Sequence, residues 1–283
     1  MTALRSLPAR LESGPYAGWR LATIGVLLVL AAAAWAITGV RMAGMDEGPG
    51  TDLGTLGFYL TSWVVMMAAM MFPSVAPLVA VYAGLQRGRR ARAMPAPAAA
   101  TSFLVAGYLL TWTIAGLAAF GLFAAGRTLV GDQLAWDAGG RWVAAAVLLA
   151  AAAYEFTPLK HACLTRCRGP LSFILEAWRD GRLGALRMGI KHGAWCVGCC
   201  WALMAALFAL GVMSIAWMAV VALLIAIEKL LPSRIAATRA VTAVLVLLAV
   251  GVAAAPDHMP AFSVPPSDAS GAGMGPGMSP IGR

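Results

Sequence analysis

Seven apolar runs, each about as long as a bilayer is thick, decide what this chain can fold into. They lie at about 19–40, 56–82, 99–125, 141–160, 187–210, 212–230 and 234–254. A spanning helix needs roughly 20 mostly apolar residues. In hydrocarbon every backbone polar group must be satisfied internally, so runs of this length are helices. Composition agrees: 61% of the residues are hydrophobic and 12% charged, against roughly a quarter charged in a soluble domain. The expected fold is all-α, a polytopic transmembrane bundle of about seven spans over residues 19–254. Residues 1–18 precede it as a cytoplasmic segment. The Pro- and Gly-rich stretch 255–283 follows as a disordered extracytoplasmic tail, carrying His258, Met259, Met274 and Met278.

Loop charge sets the orientation. Arg5, Arg10 and Arg20 precede the first run, and Arg87, Arg89, Arg90 and Arg92 follow the second with no acid. The intervening loop holds Asp46, Glu47 and Asp52 against Arg41, and the next outer loop holds Asp132 and Asp137. Basic loops stay inside, so the N-terminus is expected in the cytoplasm and the C-terminus outside, in a multi-pass protein of a bacterial inner membrane. The excess of 21 Lys+Arg over 12 Asp+Glu is therefore topological. No basic stripe points to nucleic acid, and no GxxxxGK[ST] loop points to a nucleotide.

Cysteine placement carries the chemistry. Five cysteines are too few and too odd in number for a disulfide framework. "GIKHGAWCVGCCWALM" places Cys196, Cys199 and Cys200 inside an apolar run, and Cys163 and Cys167 follow Pro158, which should end or kink the fourth span. Cys163 and Cys167 are four apart, as are Cys196 and Cys200, and Cys196 and Cys199 are three apart, so the members of each pair share a helix face. The two groups fall at the cytoplasmic ends of sequential antiparallel spans. Facing thiolates select copper(I), zinc or an iron–sulfur cluster. His161 and His192 are further candidate ligands. A single buried Cys is ordinarily a small hydrophobe; five in two helical groups are better read as a site.

The second run reads "WVVMMAAMMFPSVAP". Met66 and Met70, and Met67 and Met71, stand one turn apart. Thioethers favour copper(I), although Met also fills cores. Pro73 and Pro77 are expected to break this helix. Glu155, Glu228 and Lys229 are ionisable residues in or near spans, where such groups are functional candidates. The structural alternative pairs Glu155 with Lys229, or Glu228 with Lys160 or Lys191. Gly189 and Gly193 have the spacing for close helix contact. Residues 171–183 read as an interfacial amphipathic helix.

Trp63, Met66, Met70, Met71, Pro73 and Pro77, then Pro158, Lys160, Cys163, Cys167 and Arg168, then Gly193, Cys196, Gly198, Cys199, Cys200, Glu228, Lys229 and Pro232 together resemble a bacterial family. Its members are described as metal-binding integral membrane proteins, copper chaperone-like. The resemblance covers most of 59–82 and 154–232 and implies metal handling.

The leading function is binding of copper(I), with zinc or an iron–sulfur cluster as alternatives, for delivery or transport rather than catalysis. Candidate ligands are Cys163, Cys167, Cys196, Cys199, Cys200, Met66, Met67, Met70, Met71, His161 and His192. Expected partners are the lipid bilayer, the metal ion and a protein that donates or receives copper. The alternative is a membrane thiol oxidoreductase, or another redox protein using the same cysteines. Against it, thiols facing a reducing cytoplasm seldom form stable disulfides.

Overall fold

The structure is a computed structural model describing residues 17–42, 54–130, 139–212 and 214–254. The expected tail, with its His and Met residues, lies outside these residues, as do most of segment 1–18, Met45 and the acidic residues of both outer loops. Among the described residues the chain is helical, with no strand. The helices are α1 (Ala17–Met42), α2 (Leu56–Ala91), α3 (Ala100–Val130), α4 (Arg141–Tyr154), α5 (Pro158–Arg168), α6 (Pro170–Ala177), α7 (Gly181–Leu210), α8 (Ile215–Leu230) and α9 (Arg234–Ala254).

Five of these, α1, α2, α3, α7 and α9, are long and apolar enough to cross a membrane. The α4–α5 pair makes a sixth candidate if counted as one broken span, bent by 68°. The bend falls where Pro158 was expected to kink the chain. Thr157 caps the new helix, accepting from Lys160 N, and Pro158 takes the first-turn position where its missing N–H costs nothing. The expected span at 212–230 is a helix of 16 residues, short of the roughly 20 a full crossing needs. The exterior is apolar along its length: Leu21, Val29, Val40, Leu122, Leu247 and Val250 all point outward. On a water-soluble protein so continuous an apolar surface would be a liability.

Helix α2 corrects one expectation. It runs unbroken for 36 residues through Pro73 and Pro77. Neighbours hold it on several sides: α1, α3, α8 and α6 all pack on it. Buried residues continue from Tyr59 to Gln86. Such packing lets a membrane helix tolerate proline. Helices α3 and α7 run parallel in close contact, Leu104 lying over Gly189 and Tyr108 and Thr111 over Gly193. A Cβ on Gly189, or on Gly107 of the facing helix, would strike backbone carbonyl oxygens. Here the glycine spacing does what the sequence suggested.

A second correction concerns depth within the bundle. Helix α7 starts at Gly181, not near 187, because nearly two turns carrying Arg182, Gly184 and Arg187 extend it below the apolar run. Cys196 therefore sits halfway along α7, roughly 22 Å from its start at 1.5 Å per residue, rather than near an end. Ser74, which the site below engages, is halfway along α2. It is α4 and α8 that finish at this level, and α5 crosses beneath them.

Candidate metal centre

Helix α5 brings Cys167 across to α7, and its sulfur meets those of Cys196 and Cys199. The three Sγ atoms all lie within 4.8 Å of one another, with Cys167 and Cys199 3.7 Å apart. Thiolates sharing one ion at about 2.3 Å stand roughly 4 Å apart, so the cluster has the dimensions of a shared site. Cys196 and Cys199 are fully buried and Cys167 is half-buried. All five cysteines are free thiols.

The two thiols outside the trio have different places. Cys200 is buried with its sulfur 3.4 Å from that of Cys199. Adjacent residues on a helix point about 100° apart, and Cys199 is the one turned towards Cys167. Cys163 packs against the bare face of Gly198, where a Cβ would lie 2.7 Å from its sulfur. Tyr154 donates to the Gly198 carbonyl at 2.6 Å. Gly198 is thus the bearing surface on which α5 and the end of α4 rest against α7.

Cys196 is the most heavily contacted sulfur. The Lys229 ammonium donates to it at 3.0 Å, and the Tyr108 hydroxyl lies 3.1 Å away. Lys229 also donates to Ser74 Oγ at 3.2 Å, so α2, α3, α7 and α8 all converge on this one residue. Cys199 acts instead as a donor, its thiol meeting the Cys196 carbonyl at 3.2 Å. An ammonium is the natural companion of a sulfur that carries negative charge.

The expected pairing of Glu155 with Lys229 does not occur. Glu155 and Glu228 both pair with Lys160, at 2.5 and 2.7 Å, and all three side chains are at most 1% exposed. This buried triad ties the end of α4 to α5 and α8. Arg168, next to Cys167, closes the same junction by donating to the carbonyls of Glu228 and Leu231 at the end of α8. A helix C-terminus leaves such carbonyls unsatisfied, and a guanidinium serves them well.

The remaining candidates are placed as follows. Met66, Met67, Met70 and Met71 are at most 3% exposed. Met66 and Met70 stand two turns and one turn before Ser74, on the face that reaches Lys229. His192 is buried one turn before Cys196, edge-on to Phe173 at 4.9 Å between ring centres, and is not among the clustered ligand atoms. His161 is exposed on α5. An apolar cavity of about 540 Å³ between α3, α4 and α7 is lined by Trp63, Trp112 and Trp201; it lies to one side of the thiols and offers no cluster of ligand atoms.

The sequence reading missed Tyr108, Ser74 and the role of Gly198. Tyr108 sits in a run whose apolar pattern marks nothing out. Gly198, in the middle of Cys-Val-Gly-Cys-Cys, was the one available signal: a glycine between thiols marks close approach by another element.

A helical bundle with candidate spans and a three-sulfur cluster at its centre has the form of a membrane-helix protein whose thiols could hold a metal ion. The family described as copper chaperone matches residues 60–252, and the chain belongs to that family. No curated protein and no solved structure matches it.

Proposed function

We propose that the chain is an integral membrane protein that binds copper(I) as cargo through Cys167, Cys196 and Cys199 and hands it to a receiving protein. The observation that carries this reading is the meeting of three sulfurs from two helices within 4.8 Å. Copper(I) is soft and accepts two or three ligands, whereas structural zinc takes a closed set of four. The fourth sulfur, on Cys200, adjoins Cys199 rather than the centre of the trio. The buried methionines Met66 and Met70 form the loading side: thioethers hold copper(I) weakly enough to pass it on. Met67, Met71 and Cys163 act in packing. The N-terminus is cytoplasmic and the C-terminus outside, in a bacterial inner membrane.

Elemental analysis of the detergent-purified protein, beside a variant with all five cysteines changed to serine, tests the reading. Copper at about one per chain is expected in the first and none in the second. A five-serine protein that holds copper(I) as tightly as wild type, measured against a competing chelator, removes the thiol site altogether.

A further inference from the structure

Two cations approach this centre, Lys160 buried and Lys229 half-buried, and they are in different electrical situations. Lys160 is matched by two carboxylates, those of Glu155 and Glu228. Among the described residues no carboxylate lies within ion-pair distance of Lys229. Its ammonium is held by the Cys196 sulfur and the Ser74 hydroxyl. A unit positive charge is therefore fixed at the edge of the space where an ion would sit.

We propose that Lys229 is a specificity-determining residue: its fixed charge makes the cluster a site for a monovalent soft cation and discriminates against divalent ones. The inference rests on the copper(I) reading and deepens it. The physical basis is that a metal ion of charge z in the site has an energy of repulsion from the ammonium proportional to z, whatever the effective dielectric. A divalent ion at the same position is repelled twice as strongly as a monovalent one. Charge balance points the same way. Two thiolates, one monovalent ion and Lys229 sum to zero, with the third sulfur left as a thiol, and Cys199 is already a donor here. Buried charge that is not balanced costs several kcal/mol, so the neutral combination is the favoured occupant. Zinc with the same two thiolates would leave an excess positive charge.

This makes a numerical prediction that a merely structural lysine does not. Removing the charge lifts a repulsion worth a factor n for a monovalent ion and n² for a divalent ion, and the thiolate stabilisation lost with it is common to both, so the divalent-to-monovalent affinity ratio rises by n. Affinities of the detergent-purified full chain for silver(I), copper(I) and zinc(II) are measured by chelator competition at one pH. In Lys229→Met the zinc(II)-to-silver(I) and zinc(II)-to-copper(I) affinity ratios should each rise by about tenfold. Lys229→Arg keeps the charge and should leave the zinc-to-silver ratio within about threefold of wild type. Lys229→Gln fills the same slot with a polar end and repeats the comparison independently of the Met variant. Equal shifts for the two charge classes would overturn the proposal and make Lys229 a packing residue or a ligand. A wild-type protein that binds neither copper(I) nor silver(I) would instead sink the function proposed above, so the two failures are distinguishable.

Discussion

Cys196 receives two polar contacts at its sulfur, from Lys229 at 3.0 Å and Tyr108 at 3.1 Å, while Cys199 and Cys200 receive none from a cation. Its position on α7 is fixed from four helices. Replacing it removes the sulfur best prepared to carry charge, so Cys196→Ser should weaken copper(I) binding by about a hundredfold, or close to 3 kcal/mol. Cys199→Ser should cost less, because Cys200 stands 3.4 Å away as a substitute, and Cys200→Ser less still. Chelator titration of the three variants gives the order directly; a Cys200→Ser loss equal to that of Cys196→Ser would contradict it. At this scale the sequence was informative about which residues are soft but not about which meet. Helical spacing groups Cys163 with Cys167, and Cys196 with either Cys199 or Cys200, and does not choose among them. The trio takes one member from the first group and two sulfurs three residues apart from α7, because selection among candidates was made by the angle at which α5 crosses. The salt-bridge partners were half legible: the expected pairing of Glu228 with Lys160 occurs, but Glu155 also goes to Lys160 rather than to Lys229. Lys160→Met should destabilise the fold by roughly 3–5 kcal/mol, since it leaves two carboxylates buried without a cation. Adding Glu155→Gln and Glu228→Gln should recover most of that loss. Thermal unfolding in one detergent reads both effects, and an unchanged midpoint for Lys160→Met alone would refute the charged triad.

Helix α5 matters out of proportion to its 11 residues. It is hung between the bend at Pro158 and Gly169, and three contacts set its distance from α7: Cys163 on Gly198, Lys160 in the triad, and Arg168 on the end of α8. Gly198→Ala tests this positioning without touching a clustered sulfur. Its Cβ would fall 2.7 Å from Cys163 Sγ, so α5 must move outward, and overpacking of this kind costs about 1–3 kcal/mol. The expected result is copper(I) affinity lowered by about tenfold with helix content unchanged by circular dichroism. Wild-type affinity would mean that α5 does not set the site. Helix α2 contributes differently. Met70 lies one turn before Ser74 and outside the sulfur trio, so Met70→Leu should leave equilibrium affinity within about threefold but slow loading in stopped-flow mixing with a copper(I) donor. A variant loading at the wild-type rate would remove the methionines from the path. The break at Pro158 was legible because proline states its own backbone requirement. The continuity of α2 through Pro73 and Pro77 was not, because it depends on neighbours packed around the helix.

Across the whole molecule, hydropathy located the helices well and their ends poorly. It recognises apolar length, so it missed the polar first turns of α7 and counted α8 as a full crossing. Both errors bear on where the thiols lie, since α7 carries them at mid-length while α4 and α8 stop beside them. The path of the chain through the bundle can be followed from its contacts. Arg41 reaches Thr61 across α1 and α2, α3 returns against α2 and runs parallel to α7, and α8 descends from the end of α7 until Lys229 meets Ser74. Helix α9 then starts beside Thr165, which Arg234 touches at 2.8 Å, and packs along α4. Basic residues mark one side: Arg87, Arg89 and Arg90 end α2, and Arg182 and Arg187 begin α7. The positive-inside rule makes that side the expected cytoplasmic one, as proposed above. A periplasm-active reporter fused after residue 254 should be active, and the same reporter placed in the connection at 92–99 should be silent; a cytoplasm-active reporter should give the opposite pair. Reversal of both would put the basic side outside and turn the half-buried sulfur of Cys167 towards an oxidising compartment, where free thiols pair. The trio would then have to be judged as a redox centre. The expected pattern instead leaves those thiols in reducing surroundings, the condition under which copper stays monovalent and three free sulfurs remain available to hold it.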